Sequence, residues 1–206
     1  MTDFNKQNVA EGAPVLSPSP LESESSADLH TLPLESLKAV LDITALALEP
    51  ERFTGSTSAV VTALASRLAC DRVSLGIATR NQLRVQALSH SAQFNHKTDL
   101  LNAIAASMEE AVDQQQTVLV PAPAGWPAQS TRAHDELRRR YGAASVCSLP
   151  LWAHGRIVGV LTCERGGEQP FDRFTVELCE AMAALLGPTL DLKRQHARAL
   201  TFKIWE

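Results

Sequence analysis

The chain predicts an α+β fold built on one antiparallel sheet, and three observations carry that reading. Residues 143–163, Ala-Ala-Ser-Val-Cys-Ser-Leu-Pro-Leu-Trp-Ala-His-Gly-Arg-Ile-Val-Gly-Val-Leu-Thr-Cys, form two β-rich runs joined by His154-Gly155. Glycine there accepts the positive φ of a two-residue turn. Two further runs, Arg72 to Thr79 and Leu83 to Ser89, are joined by Arg80-Asn81-Gln82. Helical patterns flank these hairpins rather than separating every pair of strands, which excludes a wound parallel sheet.

The elements follow in order. Residues 1–31 hold Pro14, Pro18, Pro20, five serines and scattered acids. Such a stretch buries too little apolar surface to order itself and reads as a disordered tail. Pro33 suits a first-turn position, and Leu34, Leu37, Val40, Leu41 and Leu48 recur at helical spacing up to Pro50. Thr54 and Ser56 are candidate caps of a second helix reaching Cys70, with Val60, Val61, Leu64, Ala65 and Leu68 on one stripe. In Leu83-Arg84-Val85-Gln86-Ala87-Leu88 polar and apolar residues alternate, which places that strand near an edge.

A polar loop with His90, Phe94 and His96 leads to a helix capped by Thr98 or Asp99, with Leu101, Ile104, Ala105, Met108 and Val112 inward. Thr117 to Val120 is a short strand. Pro121 to Ser130, with three prolines and Trp126, is an irregular loop. Thr131 to Tyr141 is a short charged helix stopped by Gly142. After the second hairpin a long helix starts near Asp172, with Phe174, Leu178, Met182, Leu185 and Leu186 as its apolar stripe. Gly187-Pro188 is expected to kink or break it. Residues 193–206 read as a helical extension whose apolar end, Phe202, Ile204 and Trp205, suggests a cut from a longer protein or a surface for a partner.

Composition narrows the class. The 206 residues suit one domain with extensions, and 45% hydrophobic content supplies a core. A net charge of −4 gives no global field towards nucleic acid or a membrane surface. No apolar run approaches the roughly 20 residues of a membrane span, and no signal-peptide pattern opens the chain, so the expected location is cytoplasmic. Cys70, Cys147, Cys163 and Cys179 form no C-x-x-C pair and read as buried, reduced thiols.

Catalytic signatures are missing: there is no G-x-S-x-G, no H-E-x-x-H and no P-loop. His90 and His96 share a loop but lack a third and fourth metal ligand, and His90, His96 and His134 are the candidates for an axial haem ligand. Arg138-Arg139-Arg140 is either an anion site or a solvated helix face. If Ala153 pairs with Arg156 in a regular hairpin, Cys147 opposes Thr162. Cys147 and Cys163 then point to opposite sides of the sheet and cannot bridge.

The hairpin resembles the hallmark of the GAF domain family. Pro150-Leu151 stands before the turn, Gly155 at it and Gly159-Val160-Leu161 in the last strand. Asp172 is the acidic cap that follows, and Asp71-Arg72-Val73-Ser74-Leu75 looks like the family's first strand. The resemblance covers roughly Thr54 to Leu190. It implies a GAF/PAS-like antiparallel sheet of five to six strands, with terminal helices on one face and the segment Phe94 to Gly142 across the other. It also implies a ligand pocket on that second face, with Phe94, His96, Trp126, Arg138 and Tyr141 as candidate lining residues by position.

The ligand and any cofactor stay open, because members take cyclic nucleotides, tetrapyrroles, haem, small metabolites or nothing. Several narrower activities lack their residues. Residues 116–142 contain no cysteine of the kind that free methionine sulfoxide reduction uses. There is no Cys-His dipeptide for a bilin, and the Asn-Lys-Phe-Asp-Glu set of cyclic-nucleotide members is not assembled. The resemblance therefore implies a non-enzymatic sensory or regulatory domain that dimerises through its terminal helices and acts on an attached effector. A ligand-free dimerisation module and a thiol redox enzyme are the alternatives. The apolar end also resembles a GAF domain placed ahead of a membrane-fusion-type adaptor.

Overall fold

The computed structural model describes residues 33–79, 82–90, 98–167 and 169–203. The expected tail 1–31, the turn residues Arg80 and Asn81, Phe94 and His96, and the end residues Ile204 and Trp205 lie outside the described residues.

The element order is α1 (Leu34–Leu48), α2 (Phe53–Arg67), β1 (Arg72–Ala78), β2 (Leu83–Leu88), α3 (Thr98–Gln114), β3 (Val118–Val120), α4 (Arg132–Tyr141), β4 (Ser145–Ala153), β5 (Arg156–Arg165) and α5 (Arg173–Lys203). One five-stranded sheet has the order β2-β1-β5-β4-β3, and every described pairing is antiparallel. The half-exposed β2 lies at an edge, as its alternation predicts.

The sheet separates two cores. On one side Val60, Val61 and Leu64 of α2 and Val176, Met182 and Leu186 of α5 pack on Leu75, Leu149 and Leu161 of the strands. Helix α1 lies outside α2 and α5 and adds Val40, Ile43 and Ala47. On the other side Ile104 and Met108 of α3 and Leu137 of α4 pack on Val146 and Val160. Terminal helices on one face and the middle segment on the other is the layout the sequence implies.

Local chemistry fixes the ends of these elements. His154 and Gly155 both have positive φ, 52° and 72°, the conformation of a two-residue hairpin turn. Gly142 stops α4 in the left-handed region at φ 80°. Asp172 caps α5, its Oδ1 accepting the Thr175 N–H at 2.7 Å. Gly159 is required by approach: a Cβ there would stand 2.4 Å from the Gly76 carbonyl oxygen.

Five expectations need correction. Thr54 and Ser56 do not cap α2, which begins at Phe53 with no side-chain cap; buried Ser56 instead accepts the Lys193 ammonium at 2.9 Å. Leu34, Leu37, Leu41 and Leu48 of α1 are exposed; of the expected stripe Val40 is buried, and it turns inward with Ser36, Ile43 and Ala47. On α3, Ile104 and Met108 turn inward as expected, but Leu101, Ala105 and Val112 are half-buried, and Leu100, Ser107 and Ala111 complete the buried face. Phe174 and Leu185 of α5 are likewise exposed, and Val176, Cys179, Met182, Ala183, Leu186 and Leu190 are buried. Gly187-Pro188 does not break α5, which runs through it for 31 residues. Gly187 serves packing, since a Cβ there would stand 2.3 Å from the Trp152 carbonyl oxygen.

The cysteine register also differs. Ala153 does pair with Arg156, but Leu151 pairs with Gly159 while Trp152 pairs with Ile157, so Val158 is an extra residue in a β-bulge. Beyond it the register shifts by one, and Cys147 stands directly opposite Cys163. The two cysteines face the same side, towards α5.

Candidate functional site

At the end of the sheet where β1 starts and β5 finishes, a cavity of about 230 Å³ opens between the strands and the α3–α4 layer. Five pieces of chain meet there. Asp71 and Arg72 come from the start of β1, Ser89 and His90 from the end of β2, Leu100 from α3, Tyr141 to Ala143 from the end of α4, and Glu164 to Gly166 from the end of β5. The middle of that face is filled. Ile104, Met108, Leu137 and Val160 have no exposure, and a Cβ on Gly76 would stand 2.5 Å from Met108 Sδ.

The polar groups of the cavity are ordered by strand pairing. Arg72 and Glu164 are Cα partners across β1 and β5. The guanidinium grips the carboxylate at both oxygens, Nε to Oε1 at 2.6 Å and the second nitrogen to Oε2. Glu164 is almost wholly buried, so this bidentate pairing is what makes its charge tolerable there. Asp71 accepts the Gly166 N–H, and Ser89 Oγ accepts the Val73 N–H at 2.9 Å. Tyr141 is held at the wall, with the Arg140 guanidinium 5.6 Å from its ring centroid. Its hydroxyl is buried and has no hydrogen-bond partner among the described residues.

Alternation in β5 carries this polarity inward. Val160, Thr162 and Glu164 face α3 and α4, whereas Leu161 and Cys163 face the other core. Thr162 is opposite both Ser148 and Ser74, and its hydroxyl lies 2.8 Å from that of Ser148. The Ser74 hydroxyl is buried and has no partner among the described residues.

A second polar cluster joins the two helices over the sheet. Glu110 of α3 accepts the Ala133 and His134 N–H groups at 3.2 Å, capping α4 with a side chain from another helix. The His134 ring, fully buried, meets Glu110 Oε2 through Nδ1 at 2.7 Å. Burial holds the His134 pKa below its ordinary value. Burial pushes the Glu110 carboxyl up, but the hydrogen bonds from the His134 ring and the two N–H groups outweigh it and hold it low. The ring is thus neutral near pH 7, donating from Nδ1, with a bare Nε2 that has no partner among the described residues.

Of the five candidate lining residues, Tyr141 alone lines this cavity among those described. Trp126 packs against the core on the opposite side of the sheet, plugging the space beneath its own loop. Arg138 is half-exposed and pairs with Asp135 at 3.4 Å. Phe94 and His96 lie outside the described residues. Of the three histidines considered for haem, His90 lines the cavity and His134 is taken up by Glu110. Sequence reasoning passed over Arg72 and Glu164. Their signal was present: each is a charge at the end of an otherwise apolar strand, where solvation alone would favour a neutral residue.

The GAF domain family model matches residues 57–190. Solved structures share the fold. The GAF domain of an Acinetobacter phosphoenolpyruvate-protein phosphotransferase superposes with a TM-score of 0.58 at 14% identity, covering 82% of this chain and 99% of that one. That of the corresponding phosphotransferase (ptsP) from Coxiella burnetii gives 0.57 at 17% identity, covering 81% and 96%. The free methionine-R-sulfoxide reductase from Neisseria meningitidis, in complex with its substrate, gives 0.55 at 14%, covering 78% and 91%. No curated protein sequence matches the chain.

Proposed function

Because the chain belongs to the GAF domain family, we propose that it is a sensory or regulatory module that takes a small polar metabolite into the cavity between Arg72, Glu164 and Tyr141. The observation that carries this reading is the Tyr141 hydroxyl, buried at the cavity without a partner among the described residues. An unmet buried hydroxyl costs about 1–3 kcal/mol, which an acceptor on a ligand would recover. Arg72 spends two of its donors on Glu164, and the rest suit a carboxylate or carbonyl. A volume of about 230 Å³ lies below the ~300–1,000 Å³ of drug-sized sites, which favours a small metabolite over a cyclic nucleotide or a tetrapyrrole. The ends of β1 and β5 form one wall, and β5 leads through Gly166 to Asp172 directly into α5. Ligand binding therefore biases α5, the element through which an attached effector would be addressed.

The test is a thermal-shift screen of small carboxylates, amino acids and amides, followed by calorimetry on Tyr141→Phe. A bound metabolite whose affinity falls about 5–150-fold in the variant supports the site. Unchanged affinity in Tyr141→Phe removes it.

A second reading, assembly as a homodimer through α1 and α5, is favoured by residue spacing. The exposed Leu34, Leu37, Leu41 and Leu48 follow steps of three, four and seven, and the exposed Phe174, Leu185 and Leu192 follow steps of eleven and seven. Those are the intervals of a heptad seam. No helix among the described residues is long and apolar enough to cross a membrane.

A further inference from the structure

Asp71, Arg72, Glu164 and Arg165 all line the cavity, and their side chains are engaged to different degrees. We infer that the cavity takes a free amino acid, whose carboxylate meets Arg72 and Tyr141 and whose ammonium meets Asp71. This zwitterion site rests on the cavity proposed above and narrows what it binds.

Two of the four charged groups are fully occupied. Both Glu164 carboxylate oxygens accept from Arg72. Arg165 donates from Nε and Nη2 to the Leu68 carbonyl, at 3.0 and 2.6 Å, and from Nη1 to the Pro170 carbonyl at 3.4 Å. Its guanidinium carbon lies 4.3 Å from the centroid of the Phe171 ring. Every nitrogen of Arg165 and every carboxylate oxygen of Glu164 therefore has a partner within the protein.

The other two are half occupied. Arg72 reaches Glu164 through Nε and Nη2, which leaves both protons of Nη1 without a partner among the described residues. Asp71 Oδ2 accepts the Gly166 N–H, and Oδ1 has no partner among the described residues. The Tyr141 hydroxyl is the third open group. What the cavity offers is thus one cationic donor, one hydroxyl and one carboxylate oxygen.

Those three groups ask for both charges in one small molecule. A ligand carboxylate can accept from Arg72 Nη1 and from the Tyr141 hydroxyl together. A ligand ammonium has donors and no acceptor, which is what Asp71 Oδ1 can use. A carboxylate alone would bring a second negative charge beside Asp71, and an amine alone would leave Arg72 and Tyr141 unmet. A zwitterion adds no net charge to a lining in which two acids already balance two arginines. Each open atom also belongs to a group that is tied down elsewhere: Asp71 by Gly166, Arg72 by Glu164, and the Tyr141 ring against Arg140. Little side-chain freedom is lost when the ligand arrives.

Calorimetry with the proteinogenic L-amino acids tests this, each binder being repeated as its amine, which lacks the carboxylate, and as its 2-hydroxy acid, which lacks the ammonium. An amino acid should bind, and both counterparts should bind about 10–150-fold more weakly. Asp71→Asn keeps an oxygen to accept the Gly166 N–H and removes only the charge. Asp71 stands at the exposed rim of the cavity, so this change should weaken the amino acid by about 10-fold, the low end of that range, and leave the 2-hydroxy acid unchanged. Three results overturn the assignment: no amino acid binds, a 2-hydroxy acid binds as tightly as its amino acid, or Asp71→Asn leaves the amino acid's affinity unchanged. Tyr141→Phe separates these from failure of the cavity itself. A carboxylate that still weakens in that variant keeps the cavity and discards the zwitterion, and a ligand indifferent to it discards both.

Discussion

Glu110 holds His134 twice, accepting its backbone N–H at 3.2 Å and its ring Nδ1 proton at 2.7 Å. The pair links α3 to α4 and makes the layer over the sheet acid-sensitive. His134 has its pKa lowered by burial, so the unfolded chain accepts a proton that the folded one resists. Its contribution is complete above about pH 6.5 and declines as the pH falls from there. Glu110 is also held low, so its contribution disappears in a second, more acidic window as the pH falls from about 4.3 through its folded value. Thermal unfolding between pH 7 and pH 5 should show stability falling by up to about 1.4 kcal/mol per unit, and His134→Leu should flatten that slope. A wild-type melting temperature constant over this range would contradict the neutral-ring assignment.

Asp191 offers a test of burial against exposure in one ion network. Its carboxylate has no exposure and accepts Arg156 at 3.1 Å, Arg194 at 2.9 Å and Gln195 at 2.8 Å. The Arg194 side chain is 11% exposed and that of Arg156 is 53% exposed. Asp191→Ala leaves Arg194 charged and uncompensated, and should cost about 3 kcal/mol. Arg156→Ala should cost under about 1 kcal/mol, because the other partners remain and the lost side chain was half in water. Chemical denaturation of both variants checks the order, and equal losses would refute it.

Two glycines of the hairpin should separate steric need from conformational need. Gly159→Ala drives a Cβ to 2.4 Å from the backbone oxygen of Gly76, and strands must part to admit it. A loss of about 2–3 kcal/mol is expected. Gly155→Ala meets nothing within 4 Å, and its cost is the positive φ alone, about 1 kcal/mol. Denaturant midpoints in reversed order would mean that the Gly159 contact relaxes freely.

For the dimer reading, Leu37→Glu and Leu41→Glu place charges on the exposed α1 stripe. Sedimentation should show a dimer becoming a monomer while circular dichroism stays unchanged, since neither side chain is in the core. A wild-type chain that sediments as a monomer at high concentration removes this reading.

Much of the architecture was legible because its signals are local. The His154-Gly155 turn, the stop at Gly142 and the Asp172 cap each depend on a few adjacent residues. What was not legible depends on partners. Helix α1 carries two apolar stripes, and periodicity cannot say whether Leu37 and Leu41 or Val40 and Ile43 turn inward. The bulge at Val158 leaves no mark in the run Arg-Ile-Val-Gly-Val-Leu, yet one extra residue there reverses the face of every residue before Leu151 relative to β5. Tyr141, one of five candidates named by position, lines the cavity. Arg72 and Glu164 were missed because their pairing spans 92 positions of sequence.

The unbroken α5 has a mechanical consequence. Gly187 seats it against the Trp152 backbone with no side chain between, and Asp191 clamps the next turn to the hairpin through Arg156. From that seat to Lys203 the helix extends about 24 Å. It is a lever with its fulcrum at the hairpin and its short arm lying on β4. A tilt of about 10° about the fulcrum carries the far end about 4 Å one way and the Arg173 end, about 21 Å from the seat, about 4 Å the other, so the helix passes a displacement of the strands on at nearly its own size.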